Sequence, residues 1–305
     1  MILLWGTMDD SPLATTHSAL ARAGADFYFL DHRKIAASEI DYAFSAETGA
    51  RCVVRVAGTP IDMARVKVAY VRGSDFYDYD EFRELPADSP QVIQAGWFEA
   101  QLRAWLDACD AVVINRSGPS ATNYSKPYQM TLIRQAGFLI PEALISNDPA
   151  AAAKFLLENP DSIYKSLSAV RSIVRKVGDT QRSFIDDLKW CPTLFQRFVP
   201  GVNYRVHVIN GEVLAVRIES DQLDYRYGKS SITVAELPSG VAEKCRRLTL
   251  MLGLYFSGID LMRTPEDDWY CFEVNPSPAY SYFESLSGQQ ISVALADFMI
   301  DADSR

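Results

Sequence analysis

Three oxygen-bearing side chains near the end of the chain could share a task. Asp260, Glu273 and Asn275 lie within residues 257–276. That stretch holds two β-prone runs, 258–263 and 269–274, around the turn cluster Thr264-Pro265-Glu266-Asp267-Asp268. Such an arrangement reads as a hairpin. With a loop over 265–268, Asp260 pairs with Glu273, and Asn275 points to the same face as Glu273. A loop one residue longer or shorter breaks that parity. Two carboxylates facing each other across a strand pair repel. A hard divalent cation resolves the conflict, because carboxylate and amide oxygens are its preferred ligands. On the hairpin alone, a solvated polar face is an equal alternative.

Four features upstream could act with the hairpin. Lys165 ends a strand-like run and precedes Ser166-Leu167-Ser168-Ala169, whose N–H groups and hydroxyls could cover a phosphate. A solvated strand-end lysine is the commoner occurrence. Lys126 falls in the first turn of a helix, where it opposes the helix dipole. A bound phosphate would remove that cost and use the free N–H groups. An exposed lysine paying the small dipole cost is the alternative. Phe195-Gln196-Arg197-Phe198-Val199 could show an amide and backbone groups to an adenine edge, although such runs are usually core strands. Arg205 and Arg226 sit among β-rich residues and need an anionic partner, either a polyphosphate or an internal carboxylate. No Ser-His-Asp or Cys-His arrangement stands out among His17, His32 and His207.

The elements that must position these residues alternate along 305 residues, enough for two or three structural units. A first α/β unit spans 1–115. It has strands over 2–5, 26–30, 51–56, 66–72 and 111–114, a helix opened by Ser11-Pro12, and a second helix over 94–109. No G-x-G-x-x-G follows the first strand, so a dinucleotide fingerprint is absent. A second unit, 116–192, has a helix capped by Ser125 and ended by Gly137, a strand over 139–146 and a helix over 150–158. Strands over 162–166 and 173–177 and a short helix over 180–188 complete it. A third unit, 193–305, opens with a strand over 194–199. Strands over 204–209 and 212–219 follow, joined by Asn210-Gly211, a type I′ turn signal. Helices over 239–252 and 287–300 flank the opening hairpin.

Composition bounds the function. Thirty Lys+Arg against 39 Asp+Glu give a net charge of −9, which argues against nonspecific nucleic-acid binding. Five scattered cysteines form no C-x-x-C pair, so neither a zinc site nor a disulfide framework is expected, and a reducing cytoplasm is the natural compartment. The apolar start before Gly6 is too short for a signal peptide. No apolar run approaches the roughly 20 residues that span a bilayer.

In order and spacing these features resemble the ATP-grasp superfamily. They are most similar to the ribosomal-protein S6 glutamate ligase group and to the macrocyclases that mature graspetide (microviridin-type) peptides. The resemblance rests on Ser125-Lys126, Gly137-Phe138-Leu139-Ile140-Pro141, Ile163-Tyr164-Lys165-Ser166, Phe195-Gln196-Arg197-Phe198-Val199 and Asn203-Tyr204-Arg205-Val206. It ends on Gly258-Ile259-Asp260 with Phe272-Glu273-Val274-Asn275-Pro276, the most specific pair. It covers about 115–299 and implies an α/β ATP-grasp fold behind an N-terminal α/β domain. It implies that Lys126, Lys165 and the Ser168 loop meet ATP phosphates. Gln196, Arg197, Phe198 and Val199 would form the adenine hinge, with Asn203 at the ribose side. Asp260, Glu273 and Asn275 would hold two magnesium ions, with manganese as an alternative. Arg205 and Arg226 would stabilise phosphoryl transfer to a carboxylate. An amine or hydroxyl then attacks the acyl phosphate, giving an amide or ester. The expected partners are a small-molecule or peptide carboxylate and its acceptor, and a homo-oligomer is compatible with the chain. No nucleic acid or membrane is expected.

There are departures from the pattern. The loop after Lys165 has no glycine over 167–172, Arg197 replaces the hinge acid, and Asn203 replaces the ribose-side aspartate. Asp224-Tyr225-Arg226 looks like the Asp-aromatic-Arg motif of the macrocyclase group. A noncatalytic ATP-binding module is the rival from another class. Acceptor contacts have only location to name them: Arg72 and the segment 76–79.

Overall fold

The first strand, β1 (Ile2–Gly6), is apolar and buried along its length, as befits a strand covered on both faces. The computed structural model describes residues 1–47, 49–56, 58–73, 76–167, 175–177, 188–220 and 230–305. β1 is the second strand of a parallel sheet, β2-β1-β6-β7, built with β2 (Phe27–Asp31), β6 (Val68–Val71) and β7 (Val112–Ile114). Helix α1 (Ser11–Arg22) connects β1 to β2. Its N-cap is Asp10, which accepts a hydrogen bond from Leu13 N, so the cap lies one residue before the expected Ser11. Pro12 occupies the first turn, where its missing N–H costs nothing.

A small antiparallel sheet of β3 (Ser38–Ser45), β4 (Gly49–Val56) and β5 (Thr59–Asp62) inserts between β2 and β6. Helices α2 (Asp80–Arg83) and α3 (Pro90–Ala108) follow. Sequence reading missed β3, although Ile40 and Tyr42 alternate along it and pack on the core. The helix expected at 94 starts four residues earlier, behind Ser89 and Pro90.

The second sheet, β10-β9-β11-β8, consists of β8 (Ala143–Ser146), β9 (Ser162–Ser166), β10 (Arg175–Lys176) and β11 (Thr193–Arg197). Helices α4 (Ser117–Ser120), α5 (Lys126–Gln135) and α6 (Pro149–Glu158) belong to this part of the chain. β11, read from sequence as opening the third unit, pairs with both β8 and β9. The helix expected over 180–188 lies outside the described residues apart from Leu188.

The third sheet has the order β14-β13-β12-β15-β16. Its strands are β12 (Val202–Ile209), β13 (Glu212–Ser220), β14 (Ser230–Ala235), β15 (Phe256–Arg263) and β16 (Trp269–Asn275), with α7 (Ser239–Met251) between β14 and β15. Asn210 and Gly211 both take positive φ, 44° and 90°, as a type I′ turn requires. One face of the sheet (Val206, Ile259, Leu261, Val274) packs on α7 and on Ile133 of α5. Helices α8 (Ser281–Ser287) and α9 (Ile291–Asp303) close the chain. Ile291, Leu295 and Met299 of α9 share a core with Ile2 and Leu4 of β1 and Leu13 of α1. The Met1 ammonium pairs with Asp303. Among the described residues no helix is long and apolar enough to cross a membrane.

Candidate active site

The site begins in the β15–β16 register. Gly258 pairs with Asn275, Ile259 with Val274 and Asp260 with Glu273. Beyond Asp260 the register shifts, so Leu261 pairs with Cys271 and Arg263 with Trp269. Phe272 is thus the extra residue of a β-bulge. The loop is Thr264 to Asp268, one residue longer than read from sequence. The bulge offsets that residue, and Asp260 still faces Glu273. Asn275 adds its amide oxygen on the same face and accepts Ser277 N at 2.8 Å.

Three cations converge on these two carboxylates. Lys126, in the first turn of α5 and 6% exposed, places its Nζ 2.7 Å from Glu273 Oε1. Lys165, on β9, places its Nζ 4.0 Å from Glu273 Oε2. One glutamate therefore joins a helix, the second sheet and the third sheet. Burial alone would raise the Glu273 pKa, but Lys126 and Lys165, with Arg205 further off, outweigh it and hold the carboxyl below its usual range. Arg205 pairs with Asp260 across β12 and β15, and its Nη1 donates to Asp260 Oδ1 at 2.7 Å.

Gly258 makes room for that arginine. A Cβ added there would lie 2.3 Å from Arg205 Nη2 and 2.7 Å from Pro278 Cβ. Phe283 of α8 lies under the guanidinium, 5.6 Å from its Cζ, a cation–π contact that favours one orientation. His207 follows on the same face, fully buried against Phe256, Tyr280 and Phe283. Burial and the nearby Arg205 charge push its pKa well below 6.5, so it stays neutral.

The expected hinge residues lie on and after β11. Gln196 is buried, Val199 is buried, Phe198 is partly covered with Lys176 over its ring at 4.5 Å, and Arg197 is exposed. Asn203 stands two residues before Arg205 and pairs with Met262. Ser168 and Arg226 lie outside the described residues. Arg72 is engaged already: it forms an ion pair with Asp10 and donates to Ser277 Oγ and Pro278 O. It braces the turn after Asn275. The Tyr79 hydroxyl pairs with His32.

Two amides that the sequence reading did not single out hold the hairpin in place. Asn115 donates to Phe256 O and Pro276 O and accepts from Tyr255 N and Phe256 N. Gln129 donates to Val274 O and accepts from Val274 N. Gln129 is three residues beyond Lys126, a spacing that puts both on one helix face. That was the signal available in the sequence.

Two carboxylates and an amide are hard oxygen donors of the kind magnesium takes. Among the described residues no three His, Cys, Asp or Glu side chains group as a metal cluster, and Asn275 is the further oxygen donor beside the two carboxylates. The donor set suits magnesium and, with the same oxygens, manganese. Three cations around two carboxylates leave a net positive site, suited to a polyphosphate that brings its own metal.

No protein-family model matches the chain, and no curated protein matches it. Solved structures do. The ATP-grasp ligase PsnB complexed with minimal precursor is 26% identical, with a TM-score of 0.82 over 100% of this chain and 99% of that one. PsnB complexed with minimal precursor, Mg and ADP gives 25% and 0.81 over 99% and 97%. The macrocyclase MdnC from Microcystis aeruginosa MRC, bound with precursor peptide MdnA, is 20% identical, with a TM-score of 0.82 over 99% and 100%. The chain has the ATP-grasp fold, and of these neighbours PsnB is an ATP-grasp ligase and MdnC a macrocyclase.

Proposed function

We propose, with the ATP-grasp fold as premise, that this protein is an ATP- and magnesium-dependent ligase. It activates a peptide carboxylate as an acyl phosphate and joins it to an amine or hydroxyl, forming an amide or ester with release of ADP and phosphate. The observation that carries this reading is the convergence of Lys126 and Lys165 on Glu273 while Arg205 holds Asp260.

The residues divide the work. Lys126 and Lys165 bind phosphate oxygens, with the Ser168 loop covering them. Gln196, Arg197, Phe198 and Val199 receive the adenine, and Asn203 the ribose. Asp260, Glu273 and Asn275 would hold two metal ions, which supply charge neutralisation of the phosphates when bound. Arg205 and Arg226 stabilise the phosphoryl group in flight, where positioning and charge dominate. The Arg205 fork suits a three-oxygen phosphoryl.

A peptide substrate is supported by neighbours whose structures hold a precursor and align over nearly the whole of both chains. Intramolecular bond formation, as in a macrocyclase, is the narrower version. Incubation with ATP, magnesium and a panel of acidic peptides should release ADP and remove one water from the peptide mass per internal bond. Folded protein that binds ATP and yields no ADP across a broad panel would instead fit a nucleotide-binding module.

A further inference from the structure

β16 is the outermost strand of its sheet. Edge strands present unpaired N–H and C=O groups, and here that edge carries Glu273 and Asn275. Gln129 closes it in the manner of a neighbouring strand. Its Nε2 donates to Val274 O at 2.8 Å and its Oε1 accepts from Val274 N at 3.0 Å. Further along the edge, Leu139 N donates to Trp269 O and Leu139 O accepts from Cys271 N. The residue that Gln129 grips lies directly between Glu273 and Asn275.

Gln129 is 1% exposed, so both bonds form away from water, where a lost partner is expensive. It projects from the α5 face that carries Lys126 one turn earlier. We infer that Gln129 is a positioning residue: by fixing α5 to Val274 it sets where Lys126 meets Glu273, keeping a phosphate-binding cation in register with a metal-binding carboxylate. Glutamine is suited to this because its amide donates and accepts at one reach. Glutamate lacks the donor, and asparagine is one methylene short. The inference rests on the reading of Lys126 as a phosphate ligand.

A double-mutant cycle on labelled-ADP binding tests it. Gln129→Met should weaken ADP binding on the order of tenfold in the wild-type background. In a Lys126→Met background the same change should cost less than about twofold, because the residue it acts through is gone. Equal losses in both backgrounds would overturn the inference. Gln129→Asn, which keeps the amide, provides a second variant with the same expected pattern. The crystal structure of either variant without nucleotide gives an independent readout: Lys126 Nζ should leave Glu273, and a retained ion pair would contradict the proposal. Neither readout needs a peptide substrate, so both stand apart from whether the protein ligates.

Discussion

Asp260 stands opposite Glu273 because β16 carries one extra residue, Phe272, between that pair and the turn. The turn-side register, continued without interruption, would set Glu273 opposite Ile259, which is fully buried in the core under α7. The bulge moves Glu273 to the other face, among Lys126, Lys165 and Arg205. Bulges that re-aim a side chain recur beside active sites.

Deleting Phe272 should close the bulge without turning Glu273, because Cys271, Glu273 and Val274 then stand opposite Leu261, Asp260 and Ile259 in one unbroken register. We expect the deletion variant to fold and to keep nucleotide-dependent activity, read by calorimetry and ADP release. Loss of ADP release in a folded deletion variant would show that the local twist of the bulge, and not the pairing alone, aims Glu273.

Metal and nucleotide binding should be coupled. Without nucleotide, Glu273 and Asp260 are neutralised by Lys126, Lys165 and Arg205. Magnesium alone should bind weakly to the wild type and much more tightly once ADP draws the lysines to its phosphates. Lys126→Met should strengthen binding of magnesium alone by about tenfold while weakening ADP. Isothermal titration of each ligand separately checks both signs.

Gly258→Ala places a methyl group against Arg205 Nη2 and Pro278. Relief requires the guanidinium to leave Asp260 or the Pro278 turn to shift. Overpacking of this kind costs about 1–3 kcal/mol. Turnover should fall more than nucleotide affinity, because Arg205 is assigned to phosphoryl transfer. Steady-state kinetics beside ADP titration would separate the two.

His207 predicts a pH dependence of stability. Its folded-state pKa is lowered by burial and then by Arg205, so below about pH 6.5 the unfolded chain takes up a proton that the folded chain refuses. Stability contributed by neutral His207 is present above that pH and is lost as the pH falls, by about 1.4 kcal/mol per pH unit. His207→Phe should flatten the denaturation midpoint between pH 6.5 and 5. An unchanged slope would contradict this.

Much of this was legible in the sequence because it is local. The Asn210-Gly211 turn, the paired runs around 264–268 and the placement of Lys126 in a first turn are read from neighbours in the chain. The bulge also left a trace: Trp269, Cys271 and Val274 are the buried positions of β16, and the step of three between the last two breaks the strand period. What the sequence could not show is long-range. Glu273 serving Lys126 and Lys165 at once depends on α5 and β9 meeting over the hairpin. Asn115 and Gln129 bind backbone groups more than 140 residues away, and a backbone partner leaves no mark in residue type. β11 joined the second sheet because pairing with β8 and β9 outweighs its nearness in sequence to β12.

We assign Asp260 and Glu273 to holding metal for phosphoryl transfer, while other residues bind the nucleotide. The most direct measurement is ADP release beside labelled-ADP affinity in Asp260→Asn and Glu273→Gln. Each substitution keeps size and removes one charge. Peptide-dependent ADP release should fall by at least about a hundredfold, with ADP affinity within about tenfold of wild type. Wild-type rates of ADP release in both variants would contradict the account.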